Sequence, residues 1–154
     1  MALSDRRQVA LMVDYMFGKG VSRALPKSGY RLYRSRRSGR VKLIHLGGKL
    51  FATVKPNGAM ALSIFGAQTL LRSHVFKDSC VQVSDEVTQF VRGGRSVFCK
   101  FVTWSGKRIC PKSEVAVVDG KWNVLGVGMA VLNGAYMEQF KSGTAVKVRT
   151  GAAA

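Results

Sequence analysis

The chain has 154 residues, which is enough for one medium domain or two small ones. Hydrophobic residues make up 47% of the sequence, so the chain can form a packed core and is not disordered throughout. Lysine and arginine number 25 against 8 acidic residues, and the net charge of +17 favours a polyanionic partner, with nucleic acid ahead of an anionic membrane surface.

Membrane insertion, secretion and a disulfide or metal framework are all disfavoured. No apolar run approaches the roughly 20 residues that span a bilayer, and charges stand near the N-terminus where a signal peptide needs apolar residues. Cys80, Cys99 and Cys110 form an odd set without C-x-x-C spacing, which argues against disulfides and zinc. We therefore expect a cytoplasmic protein without cofactor or metal and without a membrane partner.

The basic residues are distributed unevenly along the chain. Residues 1–76 contain 14 basic and 2 acidic residues, whereas residues 77–154 contain 11 and 6. This asymmetry predicts two modules, an N-terminal domain over 1–76 and a second domain over 77–151, followed by a tail at 152–154.

The N-terminal module begins with a well-signalled helix. Ser4 can cap this helix, Gly18 and Gly20 can end it, and the apolar residues between them recur at helical spacing. That stripe consists of Val9, Met12, Val13, Met16 and Phe17. The pattern then predicts, in order, a helical turn at Val21–Leu25, strands at Tyr30–Tyr33, Val41–His45, Leu50–Lys55 and Ala59–Ser63, and a short helix at Ala67–Arg72.

The second module mixes short strands with two short helices, so the predicted fold class is α+β. Ser84 can cap the first helix, Gly93 and Gly94 can stop it, and its apolar residues are expected to face inward; these are Val87, Phe90 and Val91. Asn133 can cap the second helix, which is predicted to end at Lys141. The predicted strands are Cys80–Val83, Ser96–Thr103, Val115–Val118, Leu125–Leu132 and Ala145–Val148.

The stretch from Val83 to Gly151 resembles a PUA domain, the small β-barrel RNA-binding module of pseudouridine synthases and archaeosine transglycosylases. The matching residues are Val87–Gly94, Val97-Phe98-x-Lys100-Phe101-Val102, Val117-Val118-Asp119, Gly126-Val127-Gly128-x-Ala130-Val131-Leu132-x-Gly134, and Met137-x-x-Phe140-x-x-Gly143-x-Ala145-Val146-x-Val148-Arg149-x-Gly151. The resemblance implies a C-terminal PUA pseudo-β-barrel with two short helices.

The N-terminal module is similar to the segment that precedes the PUA domain in archaeal tRNA-guanine transglycosylases, and it is expected to be a mixed α/β pre-PUA module. The likeness lies in Asp14-Tyr15-x-Phe17-Gly18-x-Gly20-x-x-Arg23-Ala24-Leu25, in Ser38-Gly39-Arg40-Val41, and in Gly58 followed by Gly66-Ala67. Nearly the whole chain thus looks like the C-terminal part of that enzyme without its catalytic barrel. The resemblance implies that the PUA domain lies near the acceptor stem and 3′ CCA end of tRNA.

Two loops are candidate RNA-binding sites. The first concentrates arginines whose guanidinium groups suit phosphate oxygens, namely Arg34, Arg36, Arg37 and Arg40; the alternative is a solvated hairpin tip. The second loop follows a helix and contains Gly93, Gly94, Arg95 and Ser96. Its glycines would let RNA approach main-chain N–H groups, and the alternative is a plain helix stop.

Basic side chains on the strands are further candidates. Lys147 and Arg149 alternate with valines, so both should point to one face of the last strand, and Lys100 follows the same logic. The alternative is an ordinary polar sheet face. Aromatic residues that could stack on unpaired bases are Tyr33, Phe101 and Trp104, although strand aromatics more often belong to the core.

These patterns favour an RNA-binding protein that binds tRNA and acts as a non-catalytic module or subunit in tRNA modification, with a separately encoded catalytic transglycosylase subunit as a candidate partner. No catalytic residue is assigned: the acidic residues show no paired motif, His45 and His74 lack metal-ligand spacing, and a catalytic barrel takes about 250 residues. A ribosome-associated or translation-initiation factor with pre-PUA and PUA modules is the alternative.

Overall fold

A computed structural model describes residues 3–153 of the chain. The chain divides into two compact units, residues 1–76 and residues 77–154. The last residue of the predicted tail at 152–154 lies outside the described part. Within residues 3–153, every helix is too short or too polar to cross a membrane.

The first unit packs helices against a four-stranded antiparallel sheet. Helix α1 (Asp5–Phe17) begins as predicted, because the Ser4 hydroxyl accepts a hydrogen bond from the Arg7 N–H at 3.3 Å. The sheet has the order β1-β2-β3-β4. Its strands are β1 (Tyr30–Arg34), β2 (Val41–Leu46), β3 (Lys49–Val54) and β4 (Met60–Leu62), each within two residues of its predicted bounds.

Helix α2 (Ile64–Leu70) starts three residues earlier than predicted. Ser63 caps it, since its hydroxyl accepts a hydrogen bond from the Gly66 N–H at 2.9 Å. Gly66 lies inside the helix, and only glycine fits there because a Cβ would overlap the backbone carbonyl of Phe51. The predicted start at Ala67 was therefore wrong, since the helix begins directly after Ser63.

The second unit is built on a six-stranded sheet with the order β6-β10-β9-β8-β5-β7, in which only β5 and β8 pair in parallel among the described strands. Its strands are β5 (Cys80–Val83), β6 (Val97–Phe98), β7 (Val102–Ser105), β8 (Glu114–Val118), β9 (Val124–Ala130) and β10 (Thr144–Gly151). Two short helices, α3 (Thr88–Arg92) and α4 (Gly134–Met137), complete the unit. The α+β fold class is confirmed.

Four local predictions in this unit were wrong. Ser84 makes no side-chain cap; a 3₁₀ turn at Asp85–Val87 follows it, and the α-helix begins only at Thr88. The predicted strand at Ser96–Thr103 is split by a 3₁₀ turn at Cys99–Phe101, so Lys100 lies in that turn and not on a strand. Helix α4 is capped by Asn133 as predicted but ends at Met137, well before Lys141. Val87 and Val91 are buried as expected, whereas Phe90 is 55% exposed.

Candidate RNA-binding surface

Exposed aromatic rings line a groove beside α3 and β6. Phe90 lies on α3 and is 55% exposed, and Phe98 lies on β6 and is 50% exposed. The groove has a volume of about 390 Å³ and is mainly apolar, with Phe101 and the partly polar segment Arg95–Ser96 also on its wall. Large exposed apolar side chains that share one concavity are typical of a binding site.

Two cations accompany these rings. The Arg95 guanidinium carbon lies 5.8 Å from the centre of the Phe90 ring, and the Lys100 Nζ lies 4.9 Å from the centre of the Phe101 ring. Both basic side chains belong to exposed residues. Aromatic faces beside positive charges suit an unpaired nucleotide, since its base can stack while its phosphate meets the cation.

The glycine loop shapes the groove but does not offer its N–H groups. The N–H groups of Gly93, Gly94 and Arg95 donate to the carbonyls of Gln89, Val91 and Phe90, at 3.1, 2.9 and 3.0 Å respectively. The predicted mechanism, in which these glycine N–H groups bind RNA, was therefore wrong. Arg95 and Ser96 line the groove through their own exposed positions instead.

Close packing fixes the end of α3 against the last strand. A Cβ on Gly151 would lie 2.6 Å from the Gly94 nitrogen, so only glycine fits at this point of β10. Gly94 itself has a φ of +92° with open space around it, which requires a left-handed backbone but not a small side chain. The two glycines thus hold the loop that carries Arg95.

The two basic residues of β10 have different environments. Lys147 is exposed and sits opposite Met129 of β9, whereas Arg149 occupies a β-bulge between Val148 and Thr150. The Arg149 guanidinium donates to both carboxylate oxygens of Glu114, at 3.0 and 2.6 Å. Of this pair, Lys147 is the better candidate for an RNA phosphate.

The arginine loop lies in the first unit, at the tip of the β1–β2 hairpin. The Arg34 guanidinium donates to the Gln8 side chain at 2.8 Å and lies 3.7 Å from the Asp5 carboxylate, and the Arg40 guanidinium donates to the Pro56 carbonyl. Arg36 and Arg37 are exposed, and no residue in the described chain pairs with their side chains. The loop therefore presents two arginines to solvent, while the other two contact helix α1 and the turn between β3 and β4.

The remaining predicted aromatics are engaged within their own units. The Tyr33 and His45 rings meet edge to face at 5.0 Å, and the Trp104 and Trp122 rings do so at 5.5 Å. Phe101 is the one of the three predicted stacking residues that lines the groove. Sequence reasoning missed Phe90 and Phe98, although alternation places Phe98 opposite to the buried Val97 and could have marked it.

The β8–β9 turn is held by a single carboxylate. Asp119 accepts hydrogen bonds from the N–H groups of Lys121 and Asn123, both at 2.9 Å, and from the Asn123 amide at 3.0 Å. Burial works to raise the pKa of Asp119, but these hydrogen bonds and the charge of Arg92 hold it below its ordinary value. The turn places Trp122 at a φ of +65°.

Comparison with known families assigns both halves of the chain. Residues 7–77 match the patch-forming domain C2 of tRNA-guanine transglycosylase, and residues 80–152 match the PUA domain. Residues 80–152 form a PUA domain. The resemblance expected from the sequence is therefore confirmed.

Relatives and solved structures agree with this assignment. The chain is 37% identical over 146 residues to a tRNA-guanine(15) transglycosylase of Pyrococcus abyssi and 32% identical over 150 residues to that of Methanothermobacter thermautotrophicus. These matches cover 94% and 97% of the chain but only 24% and 23% of those relatives, so the chain spans about a quarter of their length.

The fold itself matches solved structures across almost the whole chain. A hypothetical protein from Pyrococcus horikoshii OT3 aligns with a TM-score of 0.76 at 20% identity, covering 97% of this chain and 92% of that one. A conserved PUA domain protein from Thermoplasma acidophilum aligns with a TM-score of 0.67 at 17% identity, covering 97% and 91%. In this chain the aromatic groove belongs to the PUA domain, and the arginine loop belongs to domain C2.

Proposed function

We propose that this protein is an RNA-binding module in tRNA modification and that its PUA domain binds the unpaired 3′ CCA end of tRNA, next to the acceptor stem. The observation that supports this best is the groove in which Phe90, Phe98 and Phe101 meet Arg95 and Lys100. The bases of a stem are paired and stacked on one another, whereas the bases of a single-stranded end can stack on aromatic side chains. Lys147 and the arginine loop would add phosphate contacts.

The chain acts without a catalytic centre of its own in this proposal. It matches the PUA-containing C-terminal part of the transglycosylases, and a barrel that performs base exchange would be supplied by a separate subunit. Within residues 3–153, no group of three His, Cys, Asp or Glu side chains is arranged so that it could hold a metal ion. RNA, and tRNA in particular, is the proposed partner of the groove.

We also propose that domain C2 occupies residues 1–76 and the PUA domain residues 77–151, with 152–154 as a tail. The change in charge at residue 76 and the division into two compact units support these bounds. Cys80, Cys99 and Cys110 form no disulfide within residues 3–153, which suits the reducing cytoplasm that we propose as the location of the protein.

The groove can be tested by removing its exposed rings. Phe90→Ala combined with Phe98→Ala should weaken binding of an in vitro transcribed tRNA at least tenfold, about 1.4 kcal/mol, because base–aromatic stacking is lost. Tyr136→Ala with Phe140→Ala is the matched control, since these rings are 51% and 47% exposed but lie outside the groove. Binding is measured by fluorescence anisotropy after melting curves show that both variants are folded.

Truncation of the RNA distinguishes end recognition from general affinity. Removing the 3′ CCA should weaken binding by the wild type and by the control variant, and should barely affect the groove variant. A folded groove variant that binds full-length tRNA as tightly as the wild type would show that this groove is not the RNA site.

A further inference from the structure

Domain C2 has a second basic concavity, and the residues that line it are not those of the arginine loop. It has a volume of about 750 Å³ and lies between the turn that follows α1 and the segment that follows α2. Four exposed residues with basic side chains contribute to its wall, namely Lys19, Arg23, Arg72 and His74. These residues come from two stretches about 50 positions apart in the sequence, so the fold gathers them.

The first of these stretches is a rigid turn. The Gly18 N–H donates to the Asp14 carbonyl at 2.9 Å, and Gly18 and Gly20 both have positive φ angles, of 119° and 98°. The Asp14 carboxylate accepts the Ser22 N–H at 2.8 Å and the Ser22 hydroxyl at 3.0 Å. This carboxylate therefore holds the 3₁₀ helix Val21–Ala24 in place, and that helix carries Arg23.

The concavity is positively charged without internal compensation. None of the residues that line it is acidic. Lys19, Arg23 and Arg72 form no hydrogen bond or ion pair through their side chains with any residue from 3 to 153. Arg34 and Arg40 of the arginine loop, by contrast, donate to groups of their own unit. Like charges that share a concave wall raise the local potential for an anion.

We infer that this concavity binds the phosphate backbone of RNA, as a contact independent of the aromatic groove. The inference rests on the proposed RNA-binding function and extends it to a second surface. Guanidinium groups bind phosphate oxygens with two hydrogen bonds, and no Phe, Tyr or Trp ring lines the concavity to select a base. Lipid binding is disfavoured, because Leu25 is buried and no exposed apolar side chain on the wall could enter a bilayer.

Charge reversal tests the inference. The variant Arg23→Glu with Arg72→Glu should bind a short RNA hairpin without a single-stranded tail about tenfold more weakly than the wild type does. Its plot of log K against log salt should be shallower by about 1.5, as expected for two lost phosphate contacts. The matched control is Lys121→Glu with Lys141→Glu, which removes the same net charge from exposed positions that do not line the concavity.

The outcomes separate this inference from the proposed function. Equal losses in the test and control pairs would show that only overall charge matters, and an unchanged test pair would show that the concavity does not contact RNA; either result overturns the inference. Binding of phosphatidylserine vesicles that is lost in the test pair, with RNA binding unchanged, would also overturn it. If the tailed RNA still depends on Phe90 and Phe98 in those cases, the proposed function stands.

Discussion

Arg149 of β10 holds the buried carboxylate of Glu114, the first residue of β8, through two parallel hydrogen bonds. The Glu114 side chain is only 5% exposed, while that of Arg149 is 37% exposed. A buried carboxylate that loses its cation is strongly destabilising, although the pair itself need not add net stability. Arg149 therefore has a structural task that Lys147, two residues earlier, does not share.

The first prediction follows from this pair. Arg149→Glu would place a second carboxylate beside Glu114 and should lower the free energy of unfolding by about 2–4 kcal/mol, discounted for the partial exposure of Arg149. Lys147→Glu is the matched control and should change it by less than about 0.5 kcal/mol, because Lys147 is exposed. Urea unfolding measures both.

A double substitution checks the cause. Glu114→Leu combined with Arg149→Met removes both charges at once, so the double variant should be more stable than Arg149→Met alone. If Arg149→Glu and Lys147→Glu have equal stability, the ion pair is not important for folding, and reduced RNA binding by Arg149→Glu could then be assigned to contact with RNA.

The second prediction concerns salt. If the basic residues contact roughly six phosphates, log K for tRNA should fall against log salt with a slope of about −4 to −5, because counterions are released from the RNA. Titrations at several potassium chloride concentrations give the slope. A flat response between low and moderate salt would argue against a phosphate footprint.

The third prediction distinguishes two glycines that lie side by side. Gly94→Ala should cost about 1–2 kcal/mol of stability, since the left-handed φ of +92° is strained for alanine although no atom blocks its Cβ. Gly151→Ala should cost about 3 kcal/mol, because its Cβ would lie 2.6 Å from the Gly94 nitrogen and force the backbone to move. Similar denaturation midpoints for the two variants would contradict this packing.

The fourth prediction is a pH dependence. The folded-state pKa of Asp119 is lowered, so its ionised form stabilises the protein above the unfolded-state value of about 3.9, and this contribution is lost as the pH falls through the folded pKa. Asp119→Asn should therefore be less stable than the wild type by about 1 kcal/mol at pH 7, and this difference should shrink as the pH falls below the unfolded-state pKa of about 3.9. Urea midpoints across this range measure it, and a difference that is constant with pH would refute it.

The fifth prediction concerns activity. The chain alone should not exchange guanine in tRNA, because the reaction needs a nucleophilic carboxylate in a catalytic barrel that is not part of these 154 residues. Incorporation of radiolabelled guanine into tRNA measures this, and addition of a catalytic-barrel protein from the same organism should allow or raise exchange. Exchange by the purified chain would refute the proposed non-catalytic role.

Periodic signals in the sequence predicted the regular elements well. Helix α1 and strand β5 follow from the Ser4 cap and from short apolar runs, because spacing alone sets which side chains can share a face. The break at Cys99–Phe101 was not predictable, since an apolar run reads as one strand whether or not a 3₁₀ turn interrupts it. Contacts between residues distant in sequence could not be predicted either, because periodicity reports only on neighbouring residues. Arg149 and Glu114, for example, are 35 residues apart.

The position of β10 in the sheet constrains when the aromatic groove can form during synthesis. This strand pairs with β6 through Val146 and Val97, and its end at Gly151 packs against the loop at Gly94. Both sides of the aromatic groove thus depend on β10, which is synthesised almost 50 residues after Phe98 and Phe101. Such distant pairing delays assembly of the groove until synthesis has passed residue 151, so the part of the chain that precedes β10 cannot form the groove by itself.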